Sequence, residues 1–384
     1  MDTRETAVTK QIVHAPSQGL AVRSAAIVAR GLRDLARDSN WLVKKVFSGH
    51  SPYIVASSTG DICALSPLVR QGTERLTLYD IERGVPTMAL SVPGEPPSCP
   101  PGLPAVVAWS PTARYLIAAW GGWLPELHVF DLQAKMFVGP FGDFSKFPKC
   151  LAWSDMGRHF AIASGGGSAA RLRIWEAAQD AAAKLPFQGP ARGEVGAPEW
   201  AEWPEWLQHQ SLVADEEHEG KLSGFGRTAF SPDEGTLASV VEIAGEWADD
   251  SIVFLEVPTL RRQNAFQAQG HITDLSWTTD SRQIIFCSAG QAFRLAMGSA
   301  EPELLPFGAE LCACHPHLPL GLCFSSWLKN SAKGRLFLVD LNRLAVFDEY
   351  AADGVVNLRW SLDGSKAYAV TADGLAYIYE PPLL

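Results

Sequence analysis

The chain has 384 residues, 47% hydrophobic and 19% charged, so it carries enough apolar material for a large buried core and does not read as disordered. A formal net charge of −10 disfavours nucleic acid and anionic membrane surfaces as partners, since both select clustered Lys and Arg. Seven Cys without framework spacing fit free thiols in a reducing compartment, no apolar run of about 18 residues is available to span a bilayer, and MDTRETAVTKQIVHAP at the start lacks the apolar core of a signal peptide; a soluble cytoplasmic protein is expected.

In chain order, Lys10–Pro16 (KQIVHAP) reads as one short strand. Ala21–Ala36 places Ala21, Ile27, Val28, Leu32 and Leu35 close to a helical period, with Arg and Asp between, and predicts an amphipathic helix that Gly31 weakens. From Val46 onward a phrase recurs. An apolar run ends in an aromatic residue and a polar turn, a second apolar run follows, and a third alternates and closes near an acid. The copies begin at VFSGHSPYIVASS (Val46), AWSPTARYLIAAW (Ala108), CLAWSDMGRHFAIAS (Cys150), TAFSPDEGTLASV (Thr228), LSWTTDSRQIIFCS (Leu275), LCACHPHLPLGLCFSS (Leu311) and LRWSLDGSKAYAV (Leu358).

Seven copies, with steps of 44, 47 and 46 residues (Ser110 to Ser154, Ser231 to Thr278, His315 to Ser361) and two long steps of 62 and 77 (Ser48 to Ser110, Ser154 to Ser231), fit a repeat of roughly 40–45 residues with about four short strands and predict an all-β fold: a seven-bladed β-propeller of four-stranded antiparallel blades. One such sheet would leave both faces wet; stacked radially, each face is covered by a neighbour. The last copy supplies three strands, and Lys10–Pro16 is expected to add the fourth beside LAYIYEP (Leu375–Pro381), zipping the ring shut. Residues 1–40 are thus assigned the closing strand and the helix. Residues 41–384 are assigned the propeller, with an insertion at 190–220 between the third and fourth blades.

The copies resemble WD-repeat (Trp-Asp) β-propellers over Val46 to Pro381, on the turns FSPDEG, WSPTAR, WSDMGR and WSLDGS and on third strands ending in YDI, FDL, IWE or VDL. No copy ends in Trp-Asp, and only His50 is read as hinting at the Gly-His dipeptide, in a different place. The resemblance implies a non-catalytic scaffold or complex subunit that docks another protein through a loop-rich face.

Trp109, Trp153, Trp277 and Trp360, with Phe47 and Phe230, share one repeat position and read as filling between blades. Asp155, Asp233, Asp280 and Asp363 read as turn formers. Cys312, Cys314, Cys323, His315 and His317 have ligand chemistry but no paired CxxC, so core packing is preferred to zinc, and no cofactor is expected. No GxSxG elbow is present, and SGGGSAA at Ser164–Ala170 lacks the Lys of a phosphate loop.

The departures from the repeat point to function. Within Pro190–Gly220, Trp200, Trp203 and Trp206 recur every three residues among Glu199, Glu202 and Glu205; Pro93–Pro104 is a second, Pro-rich insertion. Read as connections between blades, both share one face with the second-to-third-strand loops that hold Trp123 and Trp247. These five Trp are the candidate partner-binding residues, suited to a protein with a basic or apolar patch. The Trp segment is either an exposed docking surface or a lid packed on the ring. The alternative is an enzyme or small-molecule binder using the central channel. Against it, the first strands are mostly apolar, with Lys149 and Arg359 as exceptions.

Overall fold

The computed structural model describes residues 249–326 and 334–381 continuously, most of 104–176 and 222–243, and the strands within 41–90 and at 211–213. Those strands form seven four-stranded antiparallel sheets. The first strands of the sheets touch in sequence around a closed circuit, the last returning to the first, and the fold is an all-β propeller. No described residue is helical.

Each sheet grades outward from apolar to polar. Second strands are covered on both faces by neighbouring sheets and are therefore continuous apolar runs rather than alternating ones. Leu320–Ser325 and Ala367–Thr371 are buried along their whole length, and Gln283–Ser288 at all but its first residue. Fourth strands face solvent on the rim and are polar, as in Arg262–Gln267. The repeated aromatic position lies in the layers between sheets, where Trp109, Phe230, Trp277 and Trp360 are buried. Two of them add a hydrogen bond across the layer: Trp277 Nε1 donates to the Ala229 carbonyl at 2.9 Å, and Trp360 Nε1 to the Ala313 carbonyl at 3.0 Å.

The turn after the first strand repeats with local chemistry. The backbone N–H groups of Tyr115, His159, Thr236 and Lys366 donate to the hydroxyls of Ser110, Ser154, Ser231 and Ser361 at 2.9–3.0 Å. In three turns the acid two residues on accepts the Ser or Thr hydroxyl: Asp233, Asp280 and Asp363. These carboxylates build turns. Asp155 does not: it sits one position earlier, immediately after Ser154, and lines the channel mouth. In the sixth sheet His315 replaces the hydroxyl. Its Nδ1 accepts the N–H groups of His317 and Leu318 at 2.9 Å each, and Nε2 donates to the Gly364 carbonyl at 3.1 Å in the next sheet.

Four expectations are corrected. The strand beside Leu375–Tyr379 is Trp41–Lys45, from Trp41↔Tyr379 to Lys45↔Leu375, so Lys10–Pro16 does not complete that sheet. Trp41 is the reason: it is buried and packs on Tyr379 and Tyr350, with ring centroids 5.1 and 5.8 Å away. Lys10–Pro16 and the helix expected at Ala21–Ala36 lie outside the described residues. Second, the first copy is shifted: Ile54–Ala56 is the innermost strand of its sheet, followed by Asp61–Leu65, Leu76–Asp80 and Val85–Leu90. Ala56, paired with Ile62, therefore takes the repeat position expected for Phe47.

Third, the Trp-rich segment does not lie between blades. Ser211–Val213 pairs with the third strand of its sheet through Leu172↔Val213, so residues 177–210 connect a third strand to a fourth. Fourth, His50 is not the only Gly-His signal. Gly270-His271 occurs just before the first strand of the fifth sheet, where His271 Nδ1 lies 3.4 Å from the buried Asp250 and Asp250 Oδ2 accepts the Ile272 N–H at 2.8 Å.

Candidate functional site: the channel and its turn-side mouth

Strands alternate direction, so first-to-second and third-to-fourth connections leave one face of the ring, and the remaining connections leave the other. The segment carrying Trp200, Trp203 and Trp206 thus begins and ends on the face of the Ser/Thr turns. Residues 121–125 and 244–248, which hold Trp123 and Trp247, join second strands to third strands whose ends lie on the opposite face. All five Trp lie outside the described residues.

The turn face surrounds the mouth of a cavity of about 260 Å³ along the ring axis. Pro111, Asp155, Pro232, Pro316 and Leu362 follow the conserved hydrogen-bonded turn residue of their sheets and line this mouth. Met156, beside Asp155, is 65% exposed, and Leu362 is 38% exposed. Met156 is held outward by its backbone: its N–H donates at 2.7 Å to Glu234, which reaches across from the next sheet.

Below the mouth, the side chains two residues before the turn residue form a level of small groups: Ala152, Ala229, Ser276 and Ala313. The seventh sheet places Arg359 there. Two residues further in, channel-lining side chains include Cys150, Arg227, Asp274 and Asn357. Bulges help to aim them: pairing shifts between Phe225 and Thr228, between Ile272 and Asp274, and between Val355 and Asn357.

The charges differ in how far they are satisfied. Lys149 is committed to Glu242 in an ion pair of the neighbouring sheet. Arg227 Nε donates to the Thr273 carbonyl at 3.2 Å and lies 3.7 Å from Asp274, whose charge raises the Arg227 pKa. Asp274 also accepts the N–H groups of Leu275 and Cys312 at 3.0 and 3.1 Å. Burial pushes its carboxyl pKa up, and Arg227 opposes this. Burial likewise raises Asp155, against Arg359. Arg359 is ringed by protein yet open to channel solvent. Burial lowers its pKa, Asp155 counteracts this, and it makes no hydrogen bond or ion pair among the described residues.

Cys287, Cys312 and Cys323 pack together in the apolar layer between the fifth and sixth sheets, and burial raises the thiols of Cys314 and Cys323. The sequence marks Lys149 and Arg359 as exceptions among the first strands, whereas Asp155 reads there as a turn former and Arg227 and Asp274 are not singled out. Charged residues at the start of otherwise apolar first strands were the available signal.

The fold is a β-propeller. A chain in the crystal structure of a mitotic checkpoint complex is similar to it with a TM-score of 0.57 and 12% sequence identity, covering 89% of this chain and 95% of that one. No protein-family model and no curated protein sequence matches the chain.

Proposed function

We propose that this protein is a non-catalytic docking scaffold in a larger protein assembly, working in a reducing, cytoplasmic setting, and that it receives its partner on the turn face. The observation that supports this is the rim of that face. Met156 and Leu362 are exposed beside a ring of half-buried prolines, on a framework held by repeated turn hydrogen bonds. Apolar groups on a rigid support lose little entropy on binding, which favours their use as anchors. The connection bearing Trp200, Trp203 and Trp206 attaches to this same face and adds aromatic groups among glutamates. A partner with an apolar patch and basic surroundings fits it.

Affinity purification from native cells, read by mass spectrometry, tests the assignment of the face. Three double variants are compared with the native chain: Met156→Asp with Leu362→Asp, Trp203→Ala with Trp206→Ala, and Trp123→Ala with Trp247→Ala. The first two should lose the same partner while keeping the thermal transition; the third should retain it. Loss through the third pair alone would refute the turn-face assignment. A fall in thermal stability together with capture for Trp203 and Trp206 would identify them as a packed lid.

A further inference from the structure

The channel carries one cation more than its local pairing uses. Lys149 and Arg227 each lie within ion-pairing distance of a carboxylate, whereas Arg359 makes no ion pair or hydrogen bond among the described residues and feels Asp155 only at longer range. It projects at the level where four other sheets present only Ala or Ser, so the space beside the guanidinium is left open within a cavity of about 260 Å³. On the same strand and two residues earlier, hence on the same side, Asn357 has a buried Oδ1 with no hydrogen-bond donor. The guanidinium is open to channel solvent and has no protein acceptor, so a ligand entering the cavity can reach it.

We propose that the channel is a carboxylate-binding site, with the guanidinium of Arg359 as its anchor. A guanidinium fork matches the two oxygens of a planar carboxylate, and charge-assisted bidentate pairs are among the stronger hydrogen bonds. The surroundings select against phosphate: Asp155 and Asp274 line the same cavity, and a dianion there meets two carboxylates for one free cation. The volume admits a short carboxylic acid or a single acidic side chain, and not a nucleotide. The same chemistry can arrive as a free metabolite or as a Glu or Asp side chain of a docked protein.

Isothermal titration of the full chain at fixed ionic strength tests this with lactate, an acetylated Gly-Glu-Gly peptide amide and inorganic phosphate. Saturable binding of lactate, weakened about tenfold or more in Arg359→Met and several-fold in Arg359→Lys, supports a free carboxylate ligand. Binding of the peptide alone, with the same dependence on Arg359, supports an acidic side chain of a partner. Arg359→Met should melt no lower than the native chain, because it removes an unpaired charge. Ala152→Leu fills the open level without touching Arg359, and it should abolish binding too. The proposal is overturned if neither carboxylate binds, if phosphate binds as well as they do, or if Arg359→Met retains native affinity. None of these readouts depends on Met156, Leu362 or the Trp segment, so its failure leaves the docking assignment standing.

Discussion

His315 gives the sharpest test of how the sheets are joined. Its imidazole accepts two backbone N–H groups at Nδ1, donates from Nε2 to Gly364 and lies with its ring centroid 4.6 Å from that of Trp360. Protonating Nδ1 would remove the acceptor and leave two N–H groups facing a cation. Burial lowers the His315 pKa from 6.5 to about 4, with the Gly364 carbonyl opposing. As pH falls through about 6.5 the unfolded chain takes up a proton that the folded chain refuses, so stability falls, levelling only below about 4. The stabilisation is fully present above the unfolded value. At pH 4.5 the loss relative to pH 7.5 comes to about 2.5 kcal/mol from this one group. Asp363, beside it, is held at about 2 by the Ser361 hydroxyl and Ser365, so it stays ionised across that window. Denaturant unfolding at both pH values should show this loss in the native chain. His315→Asn, which keeps an acceptor for the two N–H groups and does not titrate, should lack most of it. Parallel pH dependences in the two proteins would refute the reasoning.

Three further outcomes follow from the same layers. Trp277→Phe and Trp360→Phe each delete a hydrogen bond between sheets and should cost about 1 kcal/mol beyond the lost ring area. Trp153→Phe should be neutral by the same measurement, because Trp153 Nε1 is buried without a partner. Gly364→Ala should lower the midpoint well beyond Gly290→Ala: both glycines have positive φ, +70° and +74°, but a methyl at Gly364 runs into His315 whereas one at Gly290 meets nothing within 4 Å. The Gly290 substitution should cost about 1–2 kcal/mol, the strain of the left-handed backbone alone. Asp250→Ala should cost about 1–3 kcal/mol in equilibrium unfolding by stranding the Ile272 N–H, and should raise amide exchange at Ile272.

The sequence revealed whatever is written locally. The end of the first strand and the turn after it are written within a few positions, with an aromatic and a Ser or Thr in every one of the second to seventh repeats but the sixth, so these repeats were readable one by one. The first was not, because Ile54–Ala56 is only three residues long and ends without an aromatic. Ser211–Val213 has the same brevity. With that fourth strand unseen, the Trp-rich segment was assigned to the wrong kind of connection and so to the wrong face. The channel was legible only in fragments. Arg227 and Asp274 come from different sheets and meet because the ring brings their strands together, and bulges shift both by one position. Alternation along a strand cannot show which way such a residue points.

The pairing of Trp41–Lys45 with Leu375–Tyr379 also orders events during synthesis. A chain made from its N-terminus can complete the sheets that hold consecutive strands as each fourth strand emerges. The seventh sheet is different, for its outermost strand is made first and its other three last. Until Tyr379 has left the ribosome, the layer that buries Trp41 does not exist, and the first sheet lacks the neighbour that covers it on that side. Closure is therefore a single late step that couples the whole ring: a lesion in Leu375–Tyr379 would release the strand made first as well as the one made last.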